Sequence, residues 1–144
     1  MLIKFAVTNF RGFKNRLEWD LSRPNNYSFS TNAIKNDVIK NGIIYGPNGS
    51  GKTNFGLAIF DIEYHLSQKW KKLDYFNNYI YAGNENNFVK FEYTFNFDSQ
   101  IVEYSYTKKA GGVLVGETMK VDNKFIFSKD EKTLEINDTL YPIE

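Results

Sequence analysis

The chain has no cysteine, a single histidine, three prolines and, in 144 residues, arginine only at positions 11, 16 and 23. The missing cysteine removes disulfides, thiolate metal sites and thiol nucleophiles together. His65 has no second histidine or carboxylate cluster near it in sequence to complete a metal site, and it reads as a surface or helix-packing residue. No apolar run approaches the roughly eighteen residues of a membrane helix, and the start, Met1-Leu2-Ile3-Lys4-Phe5, lacks a signal-peptide core. A cytoplasmic protein with no membrane partner is the expectation. Neither sign of charge prevails: the net charge is +1 and the pI near 7.8, so no global field draws the protein to nucleic acid. Lys4, Arg11, Lys14 and Arg16 do precede the first acid, Glu18, a short basic edge that fits either a solvated face or a DNA contact.

What is present is a phosphate-binding pattern. Gly46-Pro47-Asn48-Gly49-Ser50-Gly51-Lys52-Thr53 matches G-x-x-x-x-G-K-[ST] at every fixed position, and Gly42-Ile43-Ile44-Tyr45 before it reads as the end of a buried strand. A triphosphate is held best by backbone N–H groups aimed at its oxygens, which calls for small residues and unusual dihedrals; Gly46, Gly49 and Gly51 supply them. The chain must then turn directly into a helix, whose free first-turn N–H groups and positive dipole end face the phosphates. Residues 52 to about 72 read as that helix. Phe55, Ala58, Ile59, Ile62, Leu66 and Trp70 recur at three- and four-residue spacing, with Asp61 and Glu63 placed early and Lys69, Lys71 and Lys72 late, as the dipole prefers. Lys52 can reach the β- and γ-phosphates and the Thr53 hydroxyl can ligate Mg²⁺.

Around this loop the pattern is mostly β. Leu2 to Thr8 and Leu17 to Leu21 alternate and would pair before the loop, and residues 22 to 41 read as a connection with one short strand near Tyr27-Ser28-Phe29. From Phe88 to Phe97 five aromatic or aliphatic residues alternate with polar ones, the clearest strand in the chain. Ile101 to Thr107, Val113 to Val121, Phe125 to Phe127 and Leu134 to Ile136 continue it as an antiparallel meander through short turns. The expected fold is α/β: a largely antiparallel sheet, one long helix after the phosphate loop, and a meander extension. The division is residues 1–72 and 88–144 of one lobe, in one mixed sheet or two packed sheets. Repeated βα units of small kinases and Ras-like GTPases are absent, and every arginine precedes the loop, leaving none for a kinase lid.

Asn9-Phe10-Arg11-Gly12-Phe13, followed by Gly46-Pro47-Asn48-Gly49-Ser50-Gly51-Lys52-Thr53-Asn54, resembles the opening of the ABC-type ATPases that include SMC heads, RecF and the OLD-like nucleases. Phe95-x-Phe97-Asp98, Tyr104-x-Tyr106 and Gly116-Glu117-Thr118-Met119 resemble the β-lobe of a bacterial AAA family of ATPases found in phage-defence loci. The resemblance implies that Gly46 to Thr53 bind ATP and Mg²⁺ and that the first motif packs close to the nucleotide. It also implies that Arg11 approaches a phosphate or the base, unless it is a surface arginine at a turn, and that Asn54 orients the loop, unless it is an ordinary first-turn residue. In the full-length protein it implies a homodimer closing around two ATP molecules, with DNA or an effector as the partner.

The family's later elements have no counterpart: no signature segment, no Walker B strand ending in Asp-Glu, no switch histidine. Ala58-Ile59-Phe60-Asp61-Ile62-Glu63 has Walker B composition but lies inside the helix. Gln68 and Gln100 lack the context of a Mg²⁺-sensing glutamine, and no carboxylate stands ready to activate water. Catalytic residues are therefore unassigned, and whether the chain alone is an enzyme stays open. Two functional expectations remain: an ATP-binding N-terminal lobe, hydrolysis-incompetent alone, or a complete interaction module with a regulatory or vestigial phosphate loop and aromatic strand faces as its platform.

Overall fold

Strict alternation over residues 88–97 places Val89, Phe91 and Tyr93 on one side of a strand and Lys90, Glu92 and Thr94 on the other, and that strand becomes the middle of the molecule. The computed structural model describes residues 1–24, 31–67, 73–83, 85–137 and 139–142. In chain order the elements are β1 (Leu2–Thr8), β2 (Leu17–Asp20), the short pair β3 (Ile34–Lys35) and β4 (Val38–Ile39), the helix α1 (Lys52–Ser67), β5 (Phe88–Phe97), β6 (Gln100–Lys109), β7 (Val113–Val121), β8 (Lys124–Lys129), β9 (Thr133–Ile136) and β10 (Thr139–Pro142). Eight of the strands form one sheet in the order β10-β9-β8-β7-β6-β5-β1-β2, antiparallel at every step. Because β5 pairs with β1, the strands before and after the phosphate loop share this single sheet.

The hairpins have a simple cause. Asp98-Ser99 joins β5 to β6, and Asp122-Asn123 joins β7 to β8, with φ of 48° and 76°, and 48° and 62°, respectively. Two successive left-handed residues make the turn whose twist matches the flanking strands, and Asp and Asn tolerate that region best among side-chain-bearing residues. Asn36-Asp37, with φ of 51° and 58°, repeats the device between β3 and β4, a pair that the Asn-rich connection concealed in the sequence.

The core lies between α1 and one face of the sheet. Phe5, Val7, Phe91, Tyr93 and Tyr106 are at most 2% exposed, and Phe55 and Ala58 of α1 close over them. Phe5 meets the Phe55 ring edge-on at 6.0 Å and lies 5.1 Å from Tyr93, while Phe91 stacks on Tyr106 at 5.1 Å. Each such ring contributes about 1.5–3 kcal/mol by leaving water. The aromatic face from Val89 to Tyr93 is thus core, while Phe88 and Phe97 at the ends of β5 stay exposed.

Three expectations change. Ile43-Ile44-Tyr45 is not a strand: it is irregular, Ile43 and Tyr45 are 91% exposed, and no backbone–backbone hydrogen bond among the described residues reaches it. An apolar strand needs a neighbouring strand to satisfy its amides, and the described residues offer none here. Leu66 is 65% exposed, because the helix turns His65 rather than Leu66 towards the sheet. Asp61 does not serve the helix dipole; it sits in the third turn and is fully buried. The described helix ends at Ser67, and Gln68 and Trp70, like the strand expected near Tyr27-Ser28-Phe29, lie outside the described residues. Among the described residues no helix is long and apolar enough to cross a membrane.

The turn Ala110–Gly112 between β6 and β7 supplies a sensitive test of this packing. Gly112 has φ of 75°, and a Cβ there would lie 2.0 Å from Phe76 Cε1. Gly112→Ala combines left-handed strain with overpacking and is expected to cost about 2–3 kcal/mol in urea unfolding. Gly111→Ala, where a Cβ meets nothing within 4 Å, should lose only the backbone part of that.

Candidate functional site

The loop from Gly46 to Asn54 has the backbone its sequence demands. Gly49 and Gly51 sit at φ of 82° and 92°, in the left-handed region where a side chain is strained. A Cβ on Gly46 would come within 2.9 Å of Ser50 Oγ. The chain passes from Gly51 straight into α1 at Lys52, and the first α-helical bond, Phe55 N–H to Gly51 O, measures 2.8 Å. The N–H groups ahead of it have no place in the helix ladder and gather at the positive end of the helix dipole. Asn48, Gly49, Ser50, Gly51, Lys52, Thr53 and Asn54 line a hollow of about 270 Å³, the Thr53 side chain exposed at its edge. Lys52 Nζ donates to Gly46 O at 2.6 Å and to Pro47 O at 2.8 Å, so the ammonium spans the two ends of the loop.

A second hollow, of about 460 Å³, shares Ser50, Gly51 and Lys52 with the first and is walled by Phe13, Leu17, Trp19, Ile44 and Phe55. Its one carboxylate, Glu18, is already paired with Arg16 and, at 3.1 Å, with Lys4. Neither hollow therefore holds a free carboxylate, and among the described residues no group of acids and histidines could hold a metal by itself. Gln100 is exposed as the first residue of β6.

The Asn9-Phe10-Arg11-Gly12-Phe13 element packs against the phosphate loop. A Cβ on Gly12 would lie 3.3 Å from Asn54 Nδ2, and one on Gly51 would lie 3.1 Å from the Phe13 ring. Asn54 thus lies close against Gly12 of the first motif. Arg11 does not join them: it has φ of 48°, its guanidinium donates to Tyr75 O at 2.7 Å, and it lies over the Phe10 and Tyr75 rings, each centroid 5.6 Å away. Buried Asn9 fixes the element from the other side, its Nδ2 donating to Asn86 O and Phe88 O at 2.6 and 2.7 Å.

Behind the loop lies a group that sequence reasoning missed. The Asp61 carboxylate, 0% exposed, accepts four hydrogen bonds: Tyr75 OH at 2.8 Å and Tyr79 OH at 2.6 Å on Oδ2, and Tyr106 OH at 2.8 Å and Lys108 Nζ at 2.6 Å on Oδ1. Burial, with the Asp61 charge second, holds the Tyr75 and Tyr79 hydroxyls well above their ordinary range, so both remain protonated donors. Burial also lowers the Lys108 ammonium's pKa, against the attraction of Asp61. Lys108 Nζ lies 4.9 Å from the centroid of the Tyr106 ring.

His65, one helical turn on, stacks on Tyr106 at 4.0 Å, and its Nε2 lies 2.7 Å from Tyr104 OH. Tyr104 gives its single hydroxyl proton to Glu117, so His65 Nε2–H is the donor to Tyr104 and Nδ1 carries no proton. Burial, followed by repulsion from Lys108, lowers the His65 pKa, and Glu117 and Asp61 oppose the shift. A histidine held neutral in the fold binds its proton first in the unfolded chain. Stability from this group is complete above the ordinary value of 6.5 and declines as pH falls towards the lowered folded value. The free energy of urea unfolding should therefore drop between pH 7 and 5, by at most about 1.4 kcal/mol per pH unit. His65→Gln should flatten that segment.

No protein-family model matches this chain, and no curated protein matches it.

Proposed function

We propose that this protein binds Mg·ATP through the loop Gly46–Thr53 as the nucleotide-binding lobe of an ABC-type ATPase of the SMC, RecF and OLD-like kind. The observation that carries the reading is the hollow built from Asn48 to Asn54 at the start of α1, with left-handed glycines at 49 and 51 and an ammonium at its mouth. The residues fit the ligand. Backbone N–H groups of 49–53 and the helix terminus would receive the phosphates, and Lys52 would exchange its two carbonyl partners for phosphate oxygens. Mg²⁺ keeps most of its waters and takes few protein ligands beside the phosphates, so the Thr53 hydroxyl alone suffices for it. Bound there, the metal would neutralise phosphate charge. Asn54 and Phe13 hold the loop's shape from behind.

The reading stops at binding. Of the two acids in the segment resembling Walker B, Asp61 is enclosed by four donors and Glu63 is exposed on the helix, while Glu18 is committed to Arg16 and Lys4. The unpaired, exposed Ile43-Ile44-Tyr45 and the apolar hollow beside it support a lobe that packs against further structure in the working ATPase. Dimerisation around ATP, action on DNA or an effector, and a role in phage defence belong to this proposal through the same resemblance. The test is calorimetric titration with Mg·ATP, with turnover measured alongside. Saturable binding without turnover is expected; no heat at millimolar nucleotide would refute the reading, and robust turnover by this chain alone would refute its second half.

A further inference from the structure

We infer that Asp61 is a positioning residue for the phosphate loop, closing a ring of contacts that ties the loop's helix to the Asn9–Phe13 element through the segment Tyr75–Tyr79. The inference rests on the reading of Gly46–Thr53 as the nucleotide site and names what holds that site in shape.

From the loop the chain enters α1, and the third turn of α1 carries Asp61. Asp61 Oδ2 accepts from Tyr75 OH and Tyr79 OH, both on the short segment that follows the helix. That segment gives its carbonyls to the first motif: Tyr79 O accepts Arg11 N–H at 3.1 Å, and Tyr75 O accepts the Arg11 guanidinium at 2.7 Å. The next two residues of the motif, Gly12 and Phe13, return to the loop at Asn54 and Gly51. The links are hydrogen bonds except at Gly12 and Gly51, where the approach is close enough that an added methyl would press on Asn54 and on the Phe13 ring.

Energetics select Asp61 as the decisive link. A buried carboxylate is tolerated only when its lone pairs are filled, and here the donors come from two directions: the 75–79 segment on one oxygen, β6 on the other. The charge balance requires only Lys108, and the β6 side already supplies a hydroxyl as well. The two tyrosines fill the lone pairs of Oδ2, and in doing so they fix the distance between α1 and the segment that holds Arg11. Arg11 then acts on the loop through Gly12 and Phe13, a positioning role in place of direct phosphate contact.

Tyr75→Phe/Tyr79→Phe in the full chain cuts the ring at this one place, keeping both rings and the Asp61–Lys108 pair. The Kd for Mg·ATP should rise at least tenfold. Without nucleotide, hydrogen exchange at the Phe55 amide, bonded to Gly51 O, should accelerate at least tenfold, while the Tyr93 and Tyr104 amides of β5 and β6 exchange as in the wild type. Tyr79→Phe alone, which removes a single hydroxyl, should show the same two changes at about a third of the size and serves if the double variant does not fold. Unchanged Phe55 exchange, or faster exchange with a wild-type Kd, overturns the inference. If the wild type does not bind Mg·ATP and Phe55 nonetheless loosens in the variant, the nucleotide reading fails and the positioning role of Asp61 stands.

Discussion

Asp61→Ala will lower the free energy of unfolding by about 3–5 kcal/mol, a large part of the 5–15 kcal/mol that holds an ordinary domain together. The substitution leaves Lys108, 3% exposed, as a buried ammonium without its counter-charge, and strands the hydroxyls of Tyr75, Tyr79 and Tyr106. The reverse change is milder. In Lys108→Met the carboxylate keeps three hydroxyl donors, so the loss should be about 1–3 kcal/mol. Removing both charges with apolar residues of similar volume, Asp61→Leu/Lys108→Met, should recover most of the stability that Asp61→Ala loses. Urea midpoints at constant slope would establish this order, and a Lys108→Met that costs as much as Asp61→Ala would contradict it. The pH dependence has a definite sign. A lysine whose folded pKa is lowered holds fewer protons in the native state than in the unfolded one, so stability rises with pH towards the ordinary value of 10.5. Asp61→Ala removes the attraction that opposes this lowering, and its defect should shrink between pH 7 and 10.

The strands and their turns were readable because each rests on a local rule: period two from Val89 to Phe97, and Asp or Asn where two left-handed residues are needed. Asp61 was misread for an equally local reason. Helix-dipole logic places an acid near an N-terminus, whereas the stripe Phe55, Ala58, Asp61, His65 already put it on the buried face at three- and four-residue spacing. Lys108 carried a matching signal. It continues Val102, Tyr104 and Tyr106 at period two on the inner face of β6, so two opposite charges lay in phase with two apolar stripes. What no local rule contains is that these stripes face each other, and that segment 75–79, which has no periodicity, supplies the remaining donors. Ile43 to Tyr45 failed in the opposite direction. Its composition is that of a buried strand, but a strand is a property of a pair, and among the described residues it has no neighbour. The backbone of the loop Gly46–Thr53 agrees with its sequence because the left-handed residues fall on Gly49 and Gly51, a continuous local pattern of the kind a sequence displays. Arg11 was visible as a cation beside that loop, but the direction of its side chain is set by Tyr75, far away in the chain.

Lys52→Ala should separate binding from folding more cleanly than any other substitution in this protein. Among the described residues the side chain bonds to Gly46 O and Pro47 O, both in an exposed loop, so the free energy of unfolding should stay within about 0.5 kcal/mol of the wild type. In the proposed nucleotide site its part is larger. Charge-assisted hydrogen bonds to phosphate oxygens contribute about 1.5–3 kcal/mol, so the affinity for Mg·ATP should fall by about 10- to 150-fold. Lys52→Arg tests the geometry behind this. The longer, planar guanidinium keeps the charge but cannot place a compact three-donor head between the ends of the loop, so it should recover little of the lost affinity. The backbone cradle predicts the complement: Gly51→Ala retains Lys52 yet forces a Cβ at φ of 92° and 3.1 Å from Phe13, and should weaken binding through the shape of the loop. If Lys52→Ala binds Mg·ATP as the wild type does, the ammonium is only a brace between the loop's two ends, and the nucleotide, if it binds, binds elsewhere.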